Sequence, residues 1–341
     1  MDLILTADIG GTNARFKLIN FSKENIEEKS ITYSTKNYLS ITDCINDFLE
    51  NLQKPSIGVI GTAGTIYENT LVTTSTGWRV PISAEEIQQE TGINKIVFLN
   101  DLVVAGHGIH EITSDQSLTI RDLPISYGKP KVLMSLGTGL GVCYQVWNGS
   151  EYLLSPSEGG WVDFSPKKEI DWKFMQFYRR YKDANNLENT GIRVEECIAG
   201  KFAQIIYIFL REEFPDLIDP AFDQKFNSDP SKMVATMMHE GFNGTNQLAQ
   251  LSVRTWARYL GYECGNLIAA FLPFGGLYLY GTLIYTYAEQ ISKSPDFLEG
   301  LFAKDSGLLA IIEKIPISII TAQDLGLAGC NRVARQLNLS I

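Results

Sequence analysis

The sequence predicts an α/β protein of about two domains, and three observations lead to this prediction. The chain has 341 residues, and a domain usually takes about 150. Strand-like apolar runs alternate along it with helix-like segments, an order typical of α/β folds. Two similar glycine turns also occur, one near the N-terminus and one further along the chain, and each follows a strand-like run.

Six short runs rich in Ile, Leu and Val predict buried strands. They cover residues 3–7, 14–20, 56–61, 95–99, 131–135 and 141–147. The first two and the last two each flank a glycine turn. The repeat is weak, but it predicts two similar halves, each presenting one glycine turn to a shared cleft.

A long helix is predicted over 248–271, where apolar residues recur close to helical spacing. The stretch 267–287 contains no charged residue and is long enough to suggest a membrane span. Pro273, Gly275 and Gly276 interrupt it, however. We therefore expect a helix that ends near Leu272, then a turn and a buried strand over 277–280.

Composition excludes several classes of function. A formal charge of −10 argues against a nucleic-acid or anionic-membrane partner. The five cysteines are odd in number and scattered without a C-x-x-C pair, so we expect a reducing compartment and neither a disulfide framework nor a zinc site. The first residues carry no basic region, so no signal peptide is expected.

The two glycine turns suggest a phosphate site. They lie at residues 8–12 (DIGGT) and 135–139 (SLGTG), with their threonines 126 positions apart (138 minus 12). Glycine lets backbone N–H groups approach a ligand closely, and a row of such amides binds anions. Asp8 would face the same anion, and a carboxylate beside phosphates needs a cation between them, which suggests Mg²⁺ held through water.

Either turn taken alone is explained as well by a tight hairpin. Two similar turns that each carry threonine favour the phosphate interpretation. The P-loop pattern G-x-x-x-x-G-K-[ST] is absent, and so is G-x-G-x-x-G. The sequence therefore excludes a P-loop and counts against a Rossmann dinucleotide fold.

Several carboxylates are candidates for chemistry. Asn100 and Asp101 close an apolar strand, where ligands gather in α/β sheets, and Asp101 could take a proton from a substrate hydroxyl. Equally, either residue could only cap the next helix. Glu158 and Glu195 could accept hydrogen bonds from sugar hydroxyls, although each glutamate taken alone is expected to be solvated or to cap a helix.

Taken together, these segments resemble the bacterial glucokinase family over nearly the whole chain. The matching motifs are residues 8–15 (DIGGTNAR), 100–101 (ND), 137–141 (GTGLG), 158–160 (EGG) with 162–164 (VDF), Glu195, 275–276 (GG) and 326–329 (GLAG). The resemblance implies a two-domain actin-like ATPase fold of the ribonuclease H-like type. A small domain (residues 1–109 plus 324–341) and a large domain (110–323) would flank a cleft.

The resemblance also implies an activity, the phosphorylation of D-glucose by ATP at the 6-hydroxyl, in the cytoplasm, feeding glycolysis. Asp101 would be the catalytic base, and the sugar-binding set would be Asn100, Asp101, Glu158, Trp161 and Glu195. The ATP-binding set would be Asp8, Gly10, Gly11, Thr12, Asn13, Gly137, Thr138 and Gly139, with Mg²⁺ at Asp8 through water. Glucose and ATP would be the partners, together with a second copy of the chain in a homodimer, and neither nucleic acid nor a membrane would be bound.

Four departures from the family pattern leave alternatives open. Trp161 stands where the family has histidine, and Ser75 where it has asparagine. Residues 199–202 read AGKF where the family has SGPG, and residues 281–282 read GT where it has GG. One alternative is a kinase of the same fold with another hexose preference because of Trp161. The other is a non-catalytic sensor of sugar or nucleotide.

Overall fold

The structure is a computed structural model that describes residues 3–20, 26–74 and 76–338. Its strands are β1 (Leu3–Ile9), β2 (Asn13–Asn20), β3 (Ile26–Ser34), β4 (Ile57–Thr62), β5 (Ile66–Tyr67), β6 (Thr70–Leu71), β7 (Ile82–Ser83), β8 (Lys95–Asn100), β9 (Ser117–Arg121), β10 (Lys131–Leu136), β11 (Leu140–Trp147), β12 (Tyr152–Ser157), β13 (Leu277–Tyr280) and β14 (Ile317–Ile320). Its helices are α1 (Ile41–Phe48), α2 (Ala84–Thr91), α3 (Asp101–Gly108), α4 (Glu169–Ala184), α5 (Glu195–Ile198), α6 (Gln204–Glu213), α7 (Pro220–Asn227), α8 (Met233–Asn243), α9 (Gln247–Phe271), α10 (Thr282–Thr286), α11 (Ala288–Ser292), α12 (Pro295–Leu301), α13 (Ser306–Ile312) and α14 (Leu325–Asn338). All six predicted strands are confirmed.

The chain divides into two compact units. The first takes in the residues up to Ser114 and from Ala322 onward, together with Leu154–Pro156. The second takes in Asp115–Leu153 and Ser157–Thr321. Each unit contains its own α/β sheet with helices packed on it.

The two larger sheets repeat one topology; a small third sheet has the strand order β5-β6-β7. In the five-stranded sheet the order is β3-β2-β1-β4-β8, and in the six-stranded sheet it is β12-β11-β10-β13-β14-β9. β1 and β10 each pair antiparallel with the strand that follows the glycine turn. On their other side each begins a parallel set, β1-β4-β8 and β10-β13-β14. The predicted similarity of the two halves is confirmed by this shared order.

The central strands are buried on both faces, which explains why they read as continuous apolar runs in the sequence. All six residues of β4 are buried, and β10 is buried at four of its six positions. Two of the predicted site residues lie at strand ends, Asp8 near the end of β1 and Asn100 at the end of β8.

Helix α9 has the predicted extent. Its N-terminus is capped by Asn246, whose side chain accepts a hydrogen bond from Ala249 N–H at 2.8 Å. The chain leaves the helix through Leu272, which adopts a left-handed conformation with φ of 46°. After the turn it enters β13, as predicted. Among the described residues, no helix is both long enough and apolar enough to cross a membrane.

Glycines bring α14 unusually close to α3. A Cβ added at Gly329 would lie 1.6 Å from the carbonyl oxygen of Val104, and one added at Gly108 would lie 2.2 Å from that of Leu325. The Cys330 thiol also donates to the carbonyl of Ala7 in β1, at 3.2 Å. These contacts hold the first half of α14 against the middle and the C-terminal end of α3 within the first unit.

Candidate active site

The first glycine turn (residues 10–13) joins β1 to β2. The Gly10 N–H donates to the carbonyl of Asn13 at 2.9 Å, so the turn closes on itself. Gly11, Thr12 and Asn13 are exposed to solvent. The backbone at this turn is therefore accessible to a ligand in the first unit.

Asp8 lies beside this turn at the end of β1. The nearest guanidinium nitrogen of Arg15 lies 3.3 Å from its carboxylate. Burial raises the pKa of Asp8, while Arg15 opposes that rise. A Cβ added at Gly326 would lie 2.7 Å from the Asp8 carboxyl carbon, so glycine lets the first turn of α14 approach the carboxylate.

Thr35 holds the first glycine turn from behind. Its N–H donates to the carbonyl of Thr12 and its hydroxyl to that of Gly11, both at 2.9 Å. Thr35 is fully buried, and its own carbonyl accepts from the indole N–H of Trp78 at 2.9 Å. Ser75, three positions before Trp78 in the sequence, lies outside the described residues.

Asn100 and Asp101 lie at the junction of β8 and α3, as predicted. The side-chain carbonyl of Asn100 accepts from Leu102 N–H at 2.9 Å, which makes Asn100 the N-cap of α3. Asp101 also accepts from Leu102 N–H, at 3.0 Å, and its side chain is half-buried. The capping interpretation therefore holds for Asn100, while Asp101 occupies the first helical position beside it.

The second glycine turn (residues 137–139) joins β10 to β11. The Gly137 N–H donates to the carbonyl of Gly139 at 3.0 Å, and the Gly137 carbonyl accepts from Gly200 N–H at 2.9 Å. A Cβ at Gly200 would lie 2.8 Å from that carbonyl oxygen, so only glycine fits there. Gly10 and Gly137 do not adopt left-handed φ values. The space beside the Gly137 Cα is empty, since a Cβ added there would meet nothing within 4 Å.

A pocket of about 470 Å³ opens beside the second glycine turn, within the second unit. Its lining includes both stretches that depart from the family pattern near residues 200 and 282. The lining residues are Leu136, Gly137, Thr138, Gly200, Lys201, Gln204, Pro230, Ser231, Val234, Thr282 and Leu283. A pocket of this kind, with a turn at one end and a few polar side chains, suits a nucleotide.

Glu158 is exposed and begins a short turn that packs on β11. A Cβ at Gly160 would lie 2.3 Å from the carbonyl oxygen of Leu140, and one at Gly159 would lie 2.7 Å from the side chain of Val142. The two glycines thus allow the turn to sit directly on the strand that follows the second glycine turn, with Glu158 presented at the surface.

Glu195 is buried, and so is its neighbour Glu196, so the expectation that Glu195 is solvated is wrong. Both lie in the first turn of α5, where Glu196 accepts a hydrogen bond from the Arg193 N–H at 2.9 Å. The reason is local charge. Arg193 lies 3.4 Å from each carboxylate, and Lys182 lies 2.8 Å from that of Glu196. Burial would raise the pKa of Glu196, but the Arg193 N–H and these two cations lower it below its usual value. Glu195 Oε2 would lie 3.1 Å from a Cβ at Gly139, so this carboxylate lies at the second glycine turn.

Trp161 is 61% exposed and contacts Arg193. The Arg193 guanidinium lies 4.4 Å from the centre of its ring, a cation–π contact. Sequence reasoning missed Arg193 and Thr35. The spacing of Arg193 from Glu195 and Glu196 could have indicated an ion pair, whereas Thr35 carries no local signal.

No cluster of three or more His, Cys, Asp or Glu side chains among the described residues is arranged to hold a metal ion. Asp8 therefore offers a single carboxylate. That is enough for Mg²⁺ only where water and substrate phosphates supply the other ligands, which is a usual arrangement for this ion.

Comparison with known proteins gives consistent results. The glucokinase of Nostoc punctiforme is 29% identical to this chain in an alignment 361 positions long. The alignment covers 99% of this chain and 100% of that protein. The crystal structure of glucokinase from an Antarctic psychrotroph covers 98% of this chain and 99% of its own, with a TM-score of 0.81 and 21% identity. A ROK family glucokinase from Streptomyces griseus, solved with glucose and AMPPNP, covers 98% and 99%, with a TM-score of 0.63 and 17% identity.

These two structural likenesses confirm the predicted actin-like ATPase fold. The family model described as Glucokinase matches residues 5–337, which is nearly the full length of the sequence. Since the match spans both units and every motif discussed above, the chain belongs to the glucokinase family.

Proposed function

We propose that this protein transfers the γ-phosphoryl group of ATP to the 6-hydroxyl of D-glucose. The observation that carries the proposal is the second glycine turn with its adjoining pocket, in a chain that matches the glucokinase family along nearly its whole length. The Streptomyces griseus relative binds both glucose and AMPPNP, which is consistent with the same pair of ligands here.

In the proposed reaction the 6-hydroxyl oxygen of glucose attacks the γ-phosphorus of ATP. The new oxygen–phosphorus bond forms, the bond between that phosphorus and the bridging oxygen of ADP breaks, and ADP leaves. The Asp101 carboxylate accepts the hydroxyl proton. The acid–base demand is modest because phosphoryl transfer depends mainly on positioning and on neutralising charge.

The other residues bind rather than react. Asn100, Glu158 and Glu195 would hydrogen-bond sugar hydroxyls, and Trp161 would border the sugar. The backbone amides of the two glycine turns, with Thr12 and Thr138, would hold the phosphates.

Mg²⁺ is part of the proposal, and Asp8 would hold it through water. When bound, the ion would neutralise phosphate charge. Asp8 fits this role because it is partly buried beside the first glycine turn. From the resemblance we also propose a cytoplasmic location and a homodimer.

The test is glucose-dependent release of ADP by the purified protein, compared with Asp101→Asn. We expect the substitution to lower kcat by at least about a hundredfold, because it removes the proton acceptor. Asp43→Asn is the matched control, since Asp43 also lies in the first turn of a helix but is exposed and outside the site. Ligand-induced stabilisation without ADP release would overturn the proposal and favour a sensor. A panel of hexoses would reveal any other sugar preference.

A further inference from the structure

Arg193 is fixed by the backbone next to the turn that carries Trp161. Val194 N–H donates to the carbonyl of Val162, and Phe164 N–H donates to that of Ile192, both at 2.8 Å. Between these bonds Arg193 pairs with Asp163 in a short antiparallel bridge. The segment with Arg193 and Glu195 is therefore tied to the segment with Trp161, and all of these residues belong to the second unit.

The Arg193 side chain divides its charge between two carboxylates. One terminal nitrogen lies 3.4 Å from Glu195 Oε1, and the other lies 3.4 Å from Glu196 Oε1. Glu196 has a second cation in Lys182, at 2.8 Å. Lys182 has no ion pair with Glu195 in the described part of the chain, so Arg193 is the residue that holds Glu195 against its acidic neighbour.

The Trp161 ring lies against the Arg193 guanidinium. The ring centre lies 4.4 Å from the guanidinium carbon, and the arginine side chain is only 30% exposed. Covering one face of a guanidinium excludes water and strengthens its ion pairs, since solvent screens them less. The tryptophan thus strengthens the ion pair between Arg193 and Glu195.

We propose that Arg193 is a positioning residue for sugar binding, which orients the Glu195 carboxylate, and that Trp161 acts on the sugar mainly through Arg193. The inference rests on the proposed function, because it takes Glu195 as a sugar ligand. A carboxylate that is already held in one orientation loses less conformational entropy when it accepts a hydrogen bond from a sugar hydroxyl. A substitution that frees the carboxylate should therefore weaken sugar binding.

Steady-state kinetics with glucose and with ATP test this role in Arg193→Gln, Arg193→Lys and Trp161→Leu. For Arg193→Gln we expect KM for glucose to rise about tenfold, with kcat and KM for ATP within about twofold of the wild type. For Arg193→Lys, KM for glucose should lie between the values of the wild type and of Arg193→Gln. Lysine keeps the positive charge, but it cannot pair with both carboxylates in a plane. Trp161→Leu should raise KM for glucose about threefold, and Trp161→Phe, which keeps an aromatic ring against the guanidinium, should raise it less.

Arg180→Gln is the matched control. Arg180 also pairs with a glutamate, Glu212, but the pair is exposed, and KM for glucose should not change. A wild-type protein that does not phosphorylate glucose overturns the proposed function itself. An active wild type with an unchanged KM for glucose in Arg193→Gln overturns only the positioning role. Should Arg193→Gln fail to fold, Arg193→Lys decides, since an unchanged KM there contradicts the inference as well.

Discussion

The hydroxyl of Thr35 donates a hydrogen bond to the carbonyl of Gly11 at 2.9 Å. The N–H of the same residue holds the next carbonyl, that of Thr12, also at 2.9 Å. One fully buried residue therefore fixes two consecutive peptide groups of the first glycine turn. Because the carbonyls are held from behind, the opposite side of these peptides stays oriented for a ligand.

Replacing Thr35 by valine should weaken ATP binding. The change keeps the shape of the side chain but removes the hydroxyl, which leaves the Gly11 carbonyl without that donor. Loss of such a hydrogen bond costs about 1 kcal/mol, and we expect KM for ATP to rise about fivefold with a smaller effect on KM for glucose. Steady-state kinetics with each substrate varied in turn would measure this.

Thr6→Val is the matched control for that experiment. Thr6 is equally buried, in β1, but its hydroxyl has no hydrogen-bond partner in the part of the chain that the structure describes. Its replacement should leave KM for ATP unchanged and raise the melting temperature slightly, since an unpaired buried hydroxyl is destabilising. Equal changes in KM for ATP in the two variants would contradict the role of Thr35.

Lys201→Met should raise KM for ATP about threefold to tenfold at low ionic strength. Lys201 is an exposed cation in the lining of the pocket beside Gly137 and Thr138, and it would attract the phosphates of a nucleotide. Salt screens such attraction, so the difference from the wild type should shrink at about 0.5 M salt. Lys225→Met, which changes an exposed lysine outside this lining, should have no such effect. A difference that does not depend on salt would contradict an electrostatic role.

The sequence was sufficient for the elements that local patterns determine. Buried strands such as β4 read as apolar runs because both faces are covered, and the end of α9 was marked by Pro273 and two glycines. Repetition of the glycine turn anticipated the repeated sheet order.

What the sequence did not reveal depends on contacts between distant parts of the chain. Thr35 and Gly11 are 24 positions apart in the sequence, and no pattern near either residue predicts the hydrogen bond between them. Glu195 looked solvated because its burial depends on Arg193, and the Arg193 contact with Trp161 spans two separate segments. Nothing in the sequence indicates the close packing of Gly200 on the carbonyl of Gly137 either.

Gly329→Ala should destabilise the protein strongly. The added methyl group would lie 1.6 Å from the carbonyl oxygen of Val104, so α14 would have to move away from α3. Overpacking of this kind costs about 1–3 kcal/mol or more. Gly307→Ala is the control, because a Cβ there, in α13, meets nothing within 4 Å and alanine favours helix. Thermal unfolding should show a lower midpoint for the first variant and an equal or higher midpoint for the second; equal midpoints would contradict the tight contact.

Glu263, in α9, should make stability depend on pH near neutrality. Burial raises its pKa to about 7 from an ordinary value of 4.5, against the opposing effects of Asn266, which donates to it at 3.0 Å, and of Lys304. The folded protein therefore keeps a proton between about pH 4.5 and 7 that the unfolded chain releases. The stability that this proton supplies is complete below pH 4.5 and is lost as the pH rises through 7, by up to about 3 kcal/mol.

Glu263→Gln removes that titration, so the variant should gain stability relative to the wild type as the pH rises from about 5 to 8. Thermal midpoints measured across this range would give the difference at each pH. Glu90→Gln, at an exposed position on α2, is the control and should follow the wild type at every pH. Because both substitutions remove one carboxylate, a general effect of net charge would shift the two variants equally. Parallel curves for Glu263→Gln and the wild type would mean that the buried carboxyl does not hold its proton into the neutral range.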